Sequence, residues 1–393
     1  FERVQVLGTP RRLAVNVHRL LPFQGDEERL VKGPPARIAF DEGGQPTKAA
    51  SGFAKAQGVG VESLQSREYD GKAYVVAAKV ERGRSAGEVL PGMLPELVAS
   101  LRFAKTMRWY STDVTFSRPI RWLVALLRDQ VVPFEYAGVE SGRTSRGLRP
   151  LGSPEVELRD AETYLATMET HVIMVDADKR QDTIAVRAAE LAASAGGHIP
   201  DDPALLQEVT HLVEWPTPFL GQFDEQYLEL PQEVLIAVMK KHQRYFPVVK
   251  DGRLLPHFVG VANCSLTSSG AATNGNEEVL RARFADAAFF YEADTRSKLE
   301  GFLPRLNTLA FEEHLGSVLD KVARLEKLVP QLADLIGVTG TDLQLAIRAA
   351  HLCKADLATQ MVVEMTSLQG VMGAIYALLS DEKPEVGQAI YEH

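Results

Sequence analysis

Apolar residues alternate at Val4 and Val6, and again at Leu13, Val15 and Val17, on either side of Gly8-Thr9-Pro10. A period of two around a Gly-Pro break predicts a hairpin or bend between two strands. Residues 74–80 predict a further strand, and 123–127 and 131–136 predict two more around an Arg128-Asp129-Gln130 turn. Ala49, Ala50, Phe53, Ala54 and Gln57 keep helical spacing, and Gly58 and Gly60 stop it. A second helix is expected over 89–101, with Pro91 tolerable near its start.

From about 160 the period becomes helical. Asp176 is a fitting N-cap for a helix over 179–194, which Gly196-Gly197 ends. Asp201-Asp202-Pro203 opens another, stopped by Trp215-Pro216. Residues 217–265 return to mixed structure, with a strand over 255–263 running into a Ser-, Thr-, Gly- and Asn-rich loop at 265–276. Leu280, Phe284, Ala287 and Ala288, then Leu315, Val318, Leu319, Val322 and Leu325, follow helical spacing, and 343–365 reads as one amphipathic helix capped by Asp342. The expected class is α+β. A mixed region covers 1–300, divisible into 1–155 and 156–300, and a helical region covers 301–393. Both termini fall inside periodic patterns, so both are expected to be cuts in a longer chain.

The 393 residues are 45% hydrophobic and 24% charged, the mix of an ordinary globular protein. The formal net charge of −9 disfavours a protein that coats nucleic acid, so any RNA contact must be a local basic patch. Cys264 and Cys353 form no Cys-x-x-Cys pattern, and no disulfide framework or zinc site is expected. No apolar run approaches the roughly 18–20 residues of a membrane span. No phosphate-binding Gly-rich loop, His-Glu-x-x-His or Gly-x-Ser-x-Gly string is present. No catalytic residue and no metal ligand is assigned.

Three strings mix cations with aromatic or flexible residues. Lys105, Arg108 and Trp109 continue to Arg118, Arg121 and Trp122. Arg143, Arg146 and Arg149 recur every three residues in a Gly- and Ser-bearing segment. Lys240, Lys241, His242, Gln243, Arg244 and Tyr245 form the densest basic cluster. Guanidinium groups pair with phosphates and aromatic faces stack on unpaired bases. The same residues equally suit core tryptophans, snorkelling arginines and solvated ion pairs. In the helical end His314, His351 and Asp356 invite a metal-phosphohydrolase reading, but Ala355 stands where an adjacent imidazole ligand would be needed.

Taken in order, the strings Gly8-Thr9-Pro10-Arg11-Arg12-Leu13, Lys32-Gly33-Pro34, Met107-Arg108-Trp109 and Arg118-Pro119-Ile120-Arg121-Trp122 resemble segments of the bacterial glycyl-tRNA synthetase β subunit. Leu212-Val213-Glu214-Trp215-Pro216, the stretch 239–247, and Gly275-Asn276-Glu277 followed by 281–294 extend the resemblance over the whole chain. The resemblance implies a subunit that binds tRNA(Gly) and a catalytic α subunit in an α2β2 complex. The α subunit would carry the class II core and use ATP and Mg. This chain would hold no cofactor and be inactive alone. The resemblance further implies a cytoplasmic protein whose front resembles the editing-domain-like module of phenylalanyl-tRNA synthetase β subunits. An HD-like helical domain would follow, and a C-terminal anticodon-binding domain would lie beyond this chain. It adds Arg11 and Arg12 to the RNA-facing candidates. A metal-dependent HD phosphohydrolase and a tRNA-editing hydrolase are the alternatives. Where the family carries an Arg-Gly-His-Arg-Phe-like string, this chain has Arg146-Gly147-Leu148-Arg149-Pro150, so no imidazole role carries over.

Overall fold

The computed structural model describes residues 1–41, 43–109, 113–264 and 269–393. The chain forms two compact units, one of Phe1–Leu7 and Leu13–His171, the other of Gly8–Arg12 and Val172–His393.

β1 (Arg3–Thr9) and β2 (Arg12–His18) pair as the expected ribbon, which belongs to the first unit except at its tip, Gly8–Arg12. A three-stranded antiparallel sheet follows, with β3 (Glu27–Pro35) and β4 (Gln65–Tyr69) flanking a central β5 (Lys72–Glu81). Asp70 and Gly71 join β4 to β5 with φ of 51° and 70°. Two left-handed residues give the turn a twist that matches the strands. Helix α1 (Lys48–Gln57) starts where the Thr47 side chain accepts from Ala49 N–H, and ends at Gly58 with φ 72°. It covers one face of the sheet, where Ala39, Ala50 and Val75 are buried together. Helix α2 (Ala86–Ser100) begins earlier than the apolar spacing predicts, because Ser85 and Glu88 form a reciprocal capping box.

The rest of this unit is built of short strands. Val139–Gly142 lies parallel to Leu123–Val124 and antiparallel to Glu135–Tyr136. Thr144–Arg146 pairs with Glu155–Glu157. Residues 139–142 and 144–146 are therefore strand, with Arg143 at the bend between them, not the flexible basic loop that the Gly and Ser neighbours suggest.

In the second unit, α3 (Ala177–Ser194) is capped by Asp176 and α4 (Pro203–Thr210) by Asp202, as their sequences predict. They pack on one face of a sheet in which β8 (Arg253–Asn263) lies between β6 (Pro216–Gln222) and β7 (Phe246–Lys250). Ile184, Ala188, Leu205, Val209, Val248 and Val259 fill that layer. The other face meets α5 (Gln232–Ala237) and α6 (Ser269–Thr295). Part of the expected loop at 265–276 is thus helix, while 265–268 lie outside the described residues.

Two sequence-based boundaries are corrected. One core runs from Phe219, Phe258 and Phe284 through Leu299 and Leu306 to Leu352, Tyr376 and Ile390, so no boundary falls near 300. A change from mixed to helical periodicity marks a change of element, not of core. The division falls at His171/Val172 instead of 155/156. The single helix expected over 343–365 is α8 (Gly340–Leu352), a turn at Ala355–Ala358 and α9 (Gln360–Glu364). It breaks because the Asp356 carboxylate turns inward and Thr359 caps the new helix. Helices α7 (Val318–Leu335), α10 (Val371–Leu379) and α11 (Pro384–Glu392) complete the unit, with α7 and α8 packed together and α10 packed on α11.

Candidate nucleic-acid interface

In the first unit, parallel pairing of Ser141 with Leu123 and Gly142 with Val124 sets 139–142 beside 121–124. The chain then turns into Thr144–Arg146. Arg121, Trp122, Thr144 and Arg146 come to line one open cavity of about 230 Å³, together with Glu140 and Glu155. Arg146 Nη2 lies 2.8 Å from Glu155 Oε1 in an ion pair open to water. Such a pair is worth about 0–1 kcal/mol. Arg121 is exposed.

Other candidates are placed differently. Arg143 is half-buried and donates to the carbonyls of Asp129, Leu158 and Arg159, tying neighbouring loops together. Lys105, Arg108, Arg118 and Arg149 are exposed, and Trp109 is half-buried. Arg118 Nη1 donates to the Ser117 carbonyl. Leu148 is fully buried, so the position where the family string would carry histidine is core here.

The basic cluster of the second unit sits on a π-helical turn, Val238–Gln243, that Arg244 closes in the left-handed region at φ 56°. Lys240 pairs with Asp202 and Arg244 with Glu208, the latter at 2.9 Å. Burial pushes the Asp202 carboxyl up, but the Lys240 ammonium and the Leu205 N–H outweigh it and hold it below the usual carboxylate range. Lys241 is exposed and forms no ion pair among the described residues, and Gln243 is half-buried. Tyr245, a candidate for stacking on bases, is buried and stacks on Phe258 with centroids 4.6 Å apart. Its hydroxyl donates to Asn276, and burial pushes its pKa up to about 12.

Arg12 is also buried. It donates through Nε to Glu214 Oε1 at 2.9 Å, and Thr9 Oγ1 donates to the same oxygen at 2.8 Å. Arg11 Nη1 lies 3.9 Å from Glu214 Oε2. Beside them Arg180 is fully buried and donates to the carbonyls of Met174, Val175 and Thr210. Burial lowers its pKa, opposed by the Glu214 and Asp176 charges. Asn263 Oδ1 accepts from the N–H groups of Glu214 and Trp215. Sequence reasoning passed over Glu214, Arg180 and Asn263. The available signal was Arg180 itself, an arginine in step with Ile184, Ala188 and Ala192 on the inward face of its helix.

The HD-like positions do not converge. His314 is exposed. His351 sets Nδ1 against Glu326 and Nε2 3.1 Å from Glu300. Arg348 bridges Glu300 and Glu382, and with His351 it holds the Glu300 carboxyl at about 2 against the opposing effect of burial. Asp356 Oδ2 accepts from Gly370 N–H at 2.6 Å and Gly373 N–H at 3.2 Å, at the start of α10. Asp294 is a second buried cap. It accepts from the N–H groups of Gln360 and Met361 and from the Tyr376 hydroxyl. Among the described residues, no group of three or more His, Cys, Asp or Glu is placed to hold a metal ion.

A family model described as glycyl-tRNA synthetase beta subunit matches residues 1–393. The chain belongs to this family. It is 43% identical over 393 residues to the glycine–tRNA ligase beta subunit of Clostridioides difficile strain 630, covering all of this chain and 57% of that protein. The beta subunits of Syntrophotalea carbinolica and Moorella thermoacetica are each 44% identical, over 394 and 393 residues, with the same coverage of each chain. The chain thus spans 57% of the length of these curated relatives. No helix among the described residues is long and apolar enough to cross a membrane.

Proposed function

We propose that this chain is the tRNA-binding part of a glycine–tRNA ligase complex. Family membership along all 393 residues carries the reading. In it, a separate α subunit of class II type binds glycine, ATP and Mg and makes the glycyl ester. This chain holds tRNA(Gly) beside it in the cytoplasm and is inactive alone. Its front unit corresponds to the editing-domain-like module, and its helical end to an HD-like domain that has kept the frame without the hydrolytic centre. Asp356 uses Oδ2 to cap α10, and both ring nitrogens of His351 face carboxylates.

The Arg121–Arg146 cavity, with Trp122 in its lining, is our candidate for a tRNA backbone contact. Lys105, Arg108, Arg118 and Arg149 are further exposed cations of the first unit, and Lys241 is a separate exposed candidate on the second. Filter binding of tRNA(Gly) to the chain, with and without the α subunit, tests the reading. Arg121→Gln with Arg146→Gln should weaken binding about tenfold and lower the salt slope by about one for each phosphate no longer neutralised. Unchanged affinity and slope would remove the cavity from the interface. No tRNA binding in either setting would remove the reading.

A further inference from the structure

The sheet of β3, β5 and β4 has two chemically different faces. Alternation along β5 sends Val75 and Ala77 to the face covered by α1. On the opposite face the register sets Arg67 across from Tyr74, Tyr69 across from Lys72, and Lys32 across from Val76. The Tyr69 and Tyr74 rings meet edge to face, 6.2 Å between centroids. The Lys32 ammonium stands 3.7 Å from the Tyr74 centroid and 4.8 Å from that of Tyr69. Lys32, Arg67 and Lys72 are exposed, and none of them forms an ion pair among the described residues. Glu68, across from Ala73, alternates to the other face, and Glu28, across from Val80, shares this one two pairs along from Lys32.

From this juxtaposition we infer that the face binds single-stranded RNA, with bases on Tyr69 and Tyr74 and phosphates on Lys32, Arg67 and Lys72. The inference rests on the reading of the chain as an RNA-handling subunit. Three cations without acidic partners on one sheet face, in a chain of net charge −9, make a local field that suits a polyanion. Two partly exposed rings at the centre of that field supply what an unpaired base needs and a duplex cannot use. Protein-interface cores are depleted of lysine, and here Lys32 and Lys72 stand exposed beside the rings. Lys32 already lies on the rings, but an exposed cation–π contact is weaker than a stacked base. On binding, the ammonium leaves the ring for a phosphate and the base takes its place. Readout would be tolerant of sequence, because every base has a stacking face.

The test uses the whole chain and a fluorescent twelve-nucleotide oligouridylate, read by anisotropy over a range of salt. Tyr69→Ala and Tyr74→Ala should each weaken binding about tenfold, while Tyr69→Phe and Tyr74→Phe stay near wild type. Lys32→Gln and Arg67→Gln, at exposed positions that leave the fold intact by circular dichroism, should each lower the salt slope by about 0.7. Alanine variants that stay folded and bind like wild type would overturn the inference, as would phenylalanine variants that fail as badly as alanine. Arg121→Gln with Arg146→Gln, run in parallel with tRNA(Gly), keeps the two claims apart. Loss of the platform effect with tRNA binding intact sinks this inference alone. A wild-type chain that binds no tRNA sinks the reading beneath it.

Discussion

The Arg12 guanidinium and the Glu214 carboxylate, 202 positions apart in sequence, are buried against each other with Nε 2.9 Å from Oε1. Breaking one side of a buried pair leaves the other charge without compensation. Arg12→Ala and Glu214→Ala should each destabilise the second unit by about 3–5 kcal/mol. Urea unfolding checks this, and the double variant should lose much less than the sum of the two. A loss below about 1 kcal/mol for either single variant would show the pair to be solvated.

Arg143 separates a structural arginine from an RNA-facing one. Its side chain holds three backbone carbonyls. Arg143→Ala should cost about 1–3 kcal/mol of stability and leave the salt slope of tRNA binding unchanged. A lowered slope in a folded variant would return Arg143 to the interface.

Tyr245→Phe should keep the stack on Phe258 and lose only the hydrogen bond to Asn276, costing about 0.5–1.5 kcal/mol. Oligonucleotide and tRNA affinities should not move, because the ring is buried. Weaker RNA binding at unchanged stability would contradict its placement in the core.

Two carboxylates of the helical end give pH dependences of opposite sign. Glu300, held at about 2 by Arg348 and His351, contributes stability that is present above its ordinary range and lost as pH falls toward 2. Arg348→Met should flatten that acid limb. Asp356 is shifted the other way, because burial outweighs the N–H groups of Gly370 and Gly373. Its contribution is fullest in acid and is lost as pH rises through its raised pKa. Asp356→Asn should therefore gain on wild type in chemical-denaturation midpoints as pH rises above the ordinary carboxylate range. A difference that stays constant with pH would mean that the Asp356 shift does not contribute to stability.

Features written in consecutive residues were legible in the sequence. Asp176 and Asp202 announced their helices through side chains that cap N–H groups two or three residues on, and Gly58 ended α1 by accepting a left-handed φ. The α+β class followed from the same local signals. Arg121 and Arg146 were both visible as cations, but not as neighbours, because only the parallel pairing of 141–142 with 123–124 joins them. Tyr245 and Arg12 look identical in sequence whether they face water or core. What decides is Phe258 for one and Glu214 for the other, both supplied from distant segments. The missing boundary near 300 has the same cause. Periodicity reports the shape of an element and is silent about which other elements close its core.

The hairpin tip has a consequence for synthesis. Gly8–Arg12 is made well ahead of the rest of the second unit to which it belongs, and Glu214 leaves the ribosome about two hundred residues later. At roughly 5–20 residues per second, the tip waits on the order of ten to forty seconds for its counter-charge. During that interval Arg12 lacks the carboxylate it meets in the finished fold, and the front unit must reach its shape before Glu214 is made. A polypeptide begun at 172 would meet the reverse difficulty: Glu214 would arrive at its interior site with no Arg12 to receive it.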